Sequence, residues 1–530
     1  MRLVTRLLPV FFTVFLLAAC GSDDDDDTTA PTPPTAPSNP TPPPATPPAR
    51  GQLLETPPTR IGSFGPSDLL ARLGGNDLGE LLADTLLTPK CTVDVHQLKY
   101  ETVGAAANQM ASASGALMIP TGTDPACQGA RPILLYAHGT TTIKSYNIAN
   151  LQDDSNGEGL LIAAVFASQG YIVIAPNYAG YDTSDLSYHP YLVADQQSKD
   201  MIDALAAARS ALPLATAPSI TDNGKLFITG YSQGGYVAMA THRAMQAAGT
   251  TVTASAPMSG PYALSAFGDA IFQGQVSSNS PLNVTLLLTS YQHAYSNIYS
   301  ATTDIYESMF ATGIDSLFPN ALSPGDLASQ GKITSGVLFS STPPDPSFAG
   351  ITPATQPADF ASIFAKGFGT PNLITNAYRL AYLQDSQTAP DGGFPTATNN
   401  QPPANPTNTF RQALKANDLR NWAPTSPMLL CAGDQDPTVF YFNTALIQSY
   451  FASTAPTAPI TLLDVDSPGT SGDPYETEKD NFATAKDAVR LAAVIGGASD
   501  GGDDAVFDAY HATLVPPFCL RAVKSFFDAR

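Results

Sequence analysis

Gly230-Tyr231-Ser232-Gln233-Gly234 is the stretch of this chain most able to do chemistry, because a largely apolar run, Lys225 to Thr229, precedes it and small, helix-compatible residues, Gly235 to Ala248, follow. A serine held in so tight a turn between strand and helix is pushed out where its hydroxyl can attack a carbonyl carbon. In a chain with 40 glycines such a pentapeptide also arises by chance, so its meaning rests on partners elsewhere. A serine hydroxyl is a weak nucleophile near neutral pH. It needs a base within hydrogen-bonding reach and an acid that orients the base.

Six histidines are available. His242 lies on the helix expected after Ser232, about 15 Å away along its axis, too far to reach. His96 falls in an opening hairpin, His189 precedes the serine, and His293 sits in a long helical insertion. His138, in Ala137-His138-Gly139-Thr140 at a strand end, fits a loop that binds a carbonyl oxygen better than it fits a base. His511 remains, after the last expected strand and before the final helix. For the acid, the run Met428 to Ala432 leads into Gly433-Asp434-Gln435-Asp436-Pro437-Thr438-Val439, where Asp436 is the expected partner of His511 and Asp434 the alternative. The negative charge that builds on the carbonyl oxygen needs preorganised N–H donors. The amide of Gln233, next after the nucleophile, is one, and the amide of Thr140 is the expected second, with its hydroxyl available as a third.

The elements that must position these groups read as short apolar runs: Pro132 to Ala137, Tyr171 to Ala175, Lys225 to Thr229, Val252 to Ala256, Pro427 to Ala432 and Ile460 to Val465. Strands buried on both faces read this way, and helical stretches such as Leu160 to Ser168 and Asp195 to Leu212 separate several of them. This predicts an α/β fold with a mostly parallel sheet and helices on both faces. A hairpin from Val95 to Val103 and Ala113 to Pro120 opens it, behind a helical lead-in from Pro66 to Leu87. Between Pro261 and Pro427 the strand rhythm stops, and helices are expected over Leu282 to Tyr306, Asp359 to Gln384 and Thr409 to Asn421. The expected organisation is a core over residues 52–261 and 427–530, interrupted by a large, mainly helical cap over residues 262–426. Within it Tyr291, Tyr295, Tyr299, Tyr306 and Phe310 recur at helical spacing and read as packing residues.

The chain begins with Arg2 and Arg6, a largely apolar Leu7 to Leu17, and then Leu17-Ala18-Ala19-Cys20-Gly21. That has the form of an export signal over residues 1–19, too short for a comfortable membrane span. Its end resembles the lipobox of bacterial lipoproteins, which implies cleavage before Cys20 and lipidation of its thiol. Residues 20–51, with five aspartates from Asp23 and many Pro and Thr, cannot bury enough apolar surface to fold and read as a tether. An exported, membrane-anchored protein is expected, periplasmic or on the cell surface. The net charge of −21 excludes nucleic acid as an expected partner. Four further cysteines in an oxidising compartment favour two disulfides, and of three connectivities Cys91–Cys127 with Cys431–Cys519 is the expected one. No cysteine spacing makes a metal or redox site, and neither metal nor organic cofactor is expected.

The pentapeptide, the His138-Gly139 loop, Asp436 and His511, in that chemical order, resemble the α/β-hydrolase superfamily. Ala167 to Tyr178 and His511-Ala512-Thr513-Leu514-Val515-Pro516-Pro517 are similar to runs of the secretory lipase family. The resemblance implies hydrolysis of a carboxylic ester, from a small molecule, lipid or polymer, through Ser232, His511 and Asp436. A prolyl-peptidase type of serine peptidase, which shares core and triad, is the alternative within enzymes. A surface lipoprotein that uses an inert hydrolase fold for binding is the alternative outside them.

Overall fold

The computed structural model describes residues 49–74, 88–153, 156–215 and 220–530. The expected signal, Cys20, most of the tether and the second half of the expected lead-in helix lie outside these residues. Nine strands form one sheet in the order β1-β2-β3-β5-β4-β6-β7-β8-β9. They are β1 (Thr59–Phe64), β2 (Thr92–Val103), β3 (Met110–Thr121), β4 (Gly129–Ala137), β5 (Ile172–Pro176), β6 (Ile220–Tyr231), β7 (Ala254–Met258), β8 (Met428–Ala432) and β9 (Ile460–Asp464). The first three strands and β5 pair antiparallel, and every pairing from β5 through β9 is parallel. The fold is the α/β-hydrolase arrangement, with the carboxyl ends of the parallel strands meeting at one edge.

Central strands β5, β7 and β8 are buried at every residue, as their unbroken apolar sequences require. β9 departs from that reading: it is the edge strand, and Leu462 on its outer face is 41% exposed. β1 carries no apolar alternation and is legible only once β2 offers its edge. Helices Ala194–Ala215 and Gln233–Ala247 pack on one face, joined by a core that runs on into the segment between β7 and β8. Helices Gly157–Val165 and Val515–Asp528 cover the other.

The segment between β7 and β8 is helical in shorter pieces than the sequence predicts. The helix expected to run to Tyr306 spans Ser280–Tyr295 and stops at Ser296, which is left-handed with φ 58°. The stretch expected as one helix from Asp359 becomes Ala361–Lys366 and Asn376–Thr388, separated by a segment holding Gly367, Gly369 and Pro371. Thr409–Ala416 is the third piece, shorter than the expected run to Asn421. Tyr291, Tyr306 and Phe310 are buried, whereas Tyr295 is 37% exposed.

Cys91 is bonded to Cys127, and Cys431 to Cys519. The first bridge joins the start of β2 to the turn before β4. The second joins β8 to the helix Val515–Asp528, and so ties together the loops that carry Asp436 and His511. Among the described residues no helix is long and apolar enough to cross a membrane, and no cluster of His, Cys, Asp or Glu has metal-site form.

Candidate active site

Ser232 stands between β6 and the helix Gln233–Ala247, with φ 58° and ψ −120°, a conformation that side chains other than glycine seldom adopt. The helix begins at Gln233, two residues before the expected Gly235, so the serine itself is the turn. Its neighbours allow this: a Cβ on Gly234 or Gly230 would collide with the Ala137 carbonyl at the end of β4. The Ser232 amide donates to the Met258 carbonyl at 3.0 Å, which pins the turn to β7.

His511 bridges two of the expected groups. Its Nε2 lies 2.8 Å from Ser232 Oγ, and its Nδ1 lies 2.6 Å from Asp436 Oδ2. With Nδ1–H donating to the carboxylate, Nε2 is left to accept the serine proton. Asp436 is fully buried, and its other oxygen accepts from the amides of Thr438 and Val439 at 2.9 Å each. Those bonds fix the carboxylate so that its Oδ2 is aimed at the ring. Asp434 is exposed and its carboxylate accepts from the Gln435 side chain, away from His511. His511 lies after β9 and before the final helix, as the sequence predicts, in a π-helical turn, Tyr510–Leu514, between the helices Asp503–Ala509 and Val515–Asp528. Such turns widen a helix to re-aim a side chain. Tyr231 OH donates to the His511 carbonyl at 2.6 Å, and Tyr510 OH donates to Asp466, fixing the turn from both sides.

Two segments carry the amides expected to meet the carbonyl oxygen, those of Gln233 and Thr140. As first residue of its helix, Gln233 has an amide with no carbonyl partner one turn earlier, and the helix dipole adds positive potential there. The Gln233 side chain is buried, and His189 holds it: Nδ1–H of His189 donates to the Ala179 carbonyl at 3.0 Å, leaving Nε2 to accept from Gln233 Nε2 at 2.6 Å. Burial pushes the His189 pKa down to about 3, so the ring stays neutral in this role. No sequence motif marks this pairing.

Across the cavity the Gly139 amide donates to both oxygens of Glu158, at 3.0 and 3.1 Å, and is therefore spent. Thr140 follows it on the cavity wall, which leaves its amide as the donor this loop has to offer. The Thr140 hydroxyl pairs with Tyr191 OH at 3.1 Å, and either oxygen can be the donor. His138 is buried beneath, with its ring beside the Gly139 and Asn177 carbonyls and stacked on Tyr178; burial lowers its pKa to about 4. It is scaffold for the loop.

Glu158 is a further site residue that sequence reasoning misses. Asn156 caps its helix by accepting from the Gly159 amide, so the carboxylate is delivered at the helix N-terminus. Tyr136 OH donates to it at 2.6 Å. Enclosure raises its pKa to about 7 despite those bonds. Because the folded value lies above the ordinary carboxylate range, the native state binds this proton more tightly than the unfolded chain. Its contribution to stability is full below that ordinary range and is lost as pH rises through about 7.

Ser232 and His511 open on a cavity of about 660 Å³. One side is the helical segment, through Leu264, Phe267, Leu282 and Leu287; the other is the core, through Leu161 and Leu520. A pocket mainly apolar, with few convergent polar groups, is what a substrate with a hydrocarbon part requires.

The chain matches the esterase LipA of Xanthomonas oryzae, a rice cell wall degrading enzyme, at 25% identity over 91% of this chain and 99% of that one, with a TM-score of 0.62. A ligand-bound form of the same esterase matches at 25% identity, 91% and 100% coverage, and a TM-score of 0.63. The prolyl oligopeptidase family model matches residues 161–283. The chain is an α/β-hydrolase. A putative hydrolase from Legionella pneumophila shares the hydrolase's fold at 19% identity, covering 77% of this chain and 90% of that one, with a TM-score of 0.55. No curated protein matches the hydrolase in sequence.

Proposed function

We propose that this hydrolase cleaves carboxylic esters in the manner of a lipase or esterase, with Ser232 as nucleophile, His511 as base and Asp436 as its orienting acid. One observation carries the proposal: His511 lies within hydrogen-bonding distance of both Ser232 Oγ and Asp436 at the mouth of an apolar cavity. Ser232 Oγ bonds to the substrate carbonyl carbon as His511 Nε2 takes its proton. The carbonyl oxygen takes up the electron pair and is met by the amides of Gln233 and Thr140, each such donor being worth about 3 kcal/mol in the transition state. Collapse breaks the carbon–oxygen bond, and the alcohol leaves with the proton from His511. Water, deprotonated by His511, then releases the acid and restores the serine. No step calls for a metal or organic cofactor.

Ester cleavage is favoured over peptide cleavage by extent and by lining. The likeness to an esterase covers 91% of the chain, whereas the peptidase model covers only residues 161–283. Residues 262–426 act as a cap that shapes the substrate site, and the likeness to a cell wall degrading esterase supports polymer-linked esters among the substrates. An export signal, two disulfides and a lipid on Cys20 would place the enzyme outside the cytoplasm, on a membrane. A prolyl-peptidase-type activity is the second reading, favoured by the family match. The purified enzyme should turn over p-nitrophenyl esters of graded chain length faster than aminoacyl p-nitroanilides. Faster anilide hydrolysis would move the assignment to a peptidase.

A further inference from the structure

Glu158 takes no part in the proton transfers above, yet it is a buried carboxyl on the wall of the catalytic cavity. A Cβ placed on Gly139 would lie 3.5 Å from Glu158 Oε2, 3.6 Å from the Tyr231 carbonyl oxygen and 3.9 Å from Ser232 Cβ, so Gly139 sits against both the carboxylate and the nucleophile's turn. The carboxylate grips one atom of the oxygen-binding loop, the Gly139 nitrogen, with both its oxygens. A donor shared by two oxygens of an anion is held more strongly than one on a neutral acceptor. The Thr140 amide belongs to the next peptide, whose Gly139 carbonyl lies 2.7 Å from His138 Nδ1, so anchoring the Gly139 nitrogen narrows the directions the Thr140 amide can take.

We propose that Glu158 is a positioning residue of the acyl-transfer reaction: its carboxylate locks the Gly139 amide so that the Thr140 amide points at the substrate carbonyl oxygen, and protonation of Glu158 releases the lock. The proposal rests on the ester-hydrolase reading. Its chemistry is that of a switch near neutrality, because enclosure already brings the Glu158 pKa to about 7. The groups around it leave it alone in that range. Tyr136 from β4, Tyr231 from β6, Tyr146 from the loop after β4 and Tyr178 from the loop after β5 are all buried phenols pushed far above their ordinary pKa. His138 is held neutral by burial, with a pKa of about 4. On the helices that flank Gly157–Val165, Asp68 accepts from the Gly65 amide, Arg72 donates to the Leu151 carbonyl, Arg521 pairs with Glu478 and Lys524 with Asp528. His511 lines the same cavity as Glu158.

The experiment compares the full-length enzyme with E158Q, E158L and S232A on one p-nitrophenyl ester from pH 5 to 9, after thermal melts show that each variant is folded. Gln keeps an acceptor for the Gly139 amide but not the charge. E158Q is neutral, as the protonated acid is, so at pH 8.5 E158Q and E158L should each lose at least tenfold in kcat with KM within twofold of wild type. From pH 9 down to pH 5 the ratio of wild-type to E158Q kcat/KM should shrink from at least tenfold toward one, as Glu158 takes up its proton. If hydrolysis depends on Ser232 but the wild-type and E158Q profiles superimpose, or E158L matches wild type, the Glu158 assignment is overturned while the ester-hydrolase reading stands. If S232A is as active as wild type, that reading fails and this inference with it.

Discussion

Ser232→Ala is expected to lower kcat for ester hydrolysis by about 10⁴- to 10⁶-fold, with KM little changed, as for other serine enzymes that lose the nucleophile. The loss is large because nothing else in the cavity replaces the hydroxyl that His511 Nε2 faces at 2.8 Å. His511→Ala should cost about as much, and the double variant little more than either, since the groups act as one unit. Asp436→Asn should lower kcat by about 10⁴-fold by favouring the wrong imidazole tautomer. Asp434→Asn is the control. Its carboxylate is exposed and turned toward Gln435, so activity should stay within a fewfold of wild type. Initial rates on one ester measure all five variants.

The second large effect is on stability. Arg420 is fully buried and donates to two carboxylates that are equally buried, Asp391 at 2.6 and 2.9 Å and Asp418 at 2.9 and 3.0 Å. Asp418 also accepts from the Ser265 amide, at the start of the helix that brings Leu264 and Phe267 to the cavity. Arg420→Ala removes the cation and leaves two carboxylates without it, which should cost about 3–5 kcal/mol of unfolding free energy, the price of breaking a buried pair from one side. Arg490→Ala, which breaks exposed pairs with Asp487 and Asp503, should cost less than about 1 kcal/mol. Urea or thermal unfolding of the two variants against wild type checks the contrast.

Much of the architecture is legible because it is carried by local pattern. The buried strands β5, β7 and β8 announce themselves as apolar runs, and a serine between glycines after such a run announces a tight turn. Asp436 and His511 can be chosen because chain order and strand ends limit the candidates to a few residues. What stays hidden depends on partners distant in sequence. Glu158 sits in Gly157-Glu158-Gly159, which has no motif, and its place is set by Asn156 and by the end of β4 meeting this helix. A lone carboxylate opening an otherwise apolar helix is the only hint it leaves. His189 reads as a loop histidine in Tyr188-His189-Pro190-Tyr191, and only the fold brings it to Gln233. The helices between β7 and β8 break where single residues turn left-handed or glycines and prolines cluster, and an average over a long window smooths those breaks away.

The central claim is that Ser232, activated by His511, attacks the substrate's acyl carbon. Incubation of the enzyme with a p-nitrophenyl alkylphosphonate, which places a tetrahedral phosphorus where the acyl carbon would be, tests it most directly by intact-protein and peptide mass spectrometry. One phosphonyl group per chain on the peptide holding Ser232, with none on Ser232→Ala and far slower labelling of His511→Ala, is the predicted result. Stoichiometric labelling of another residue, or undiminished labelling of the Ser232→Ala protein, would contradict it.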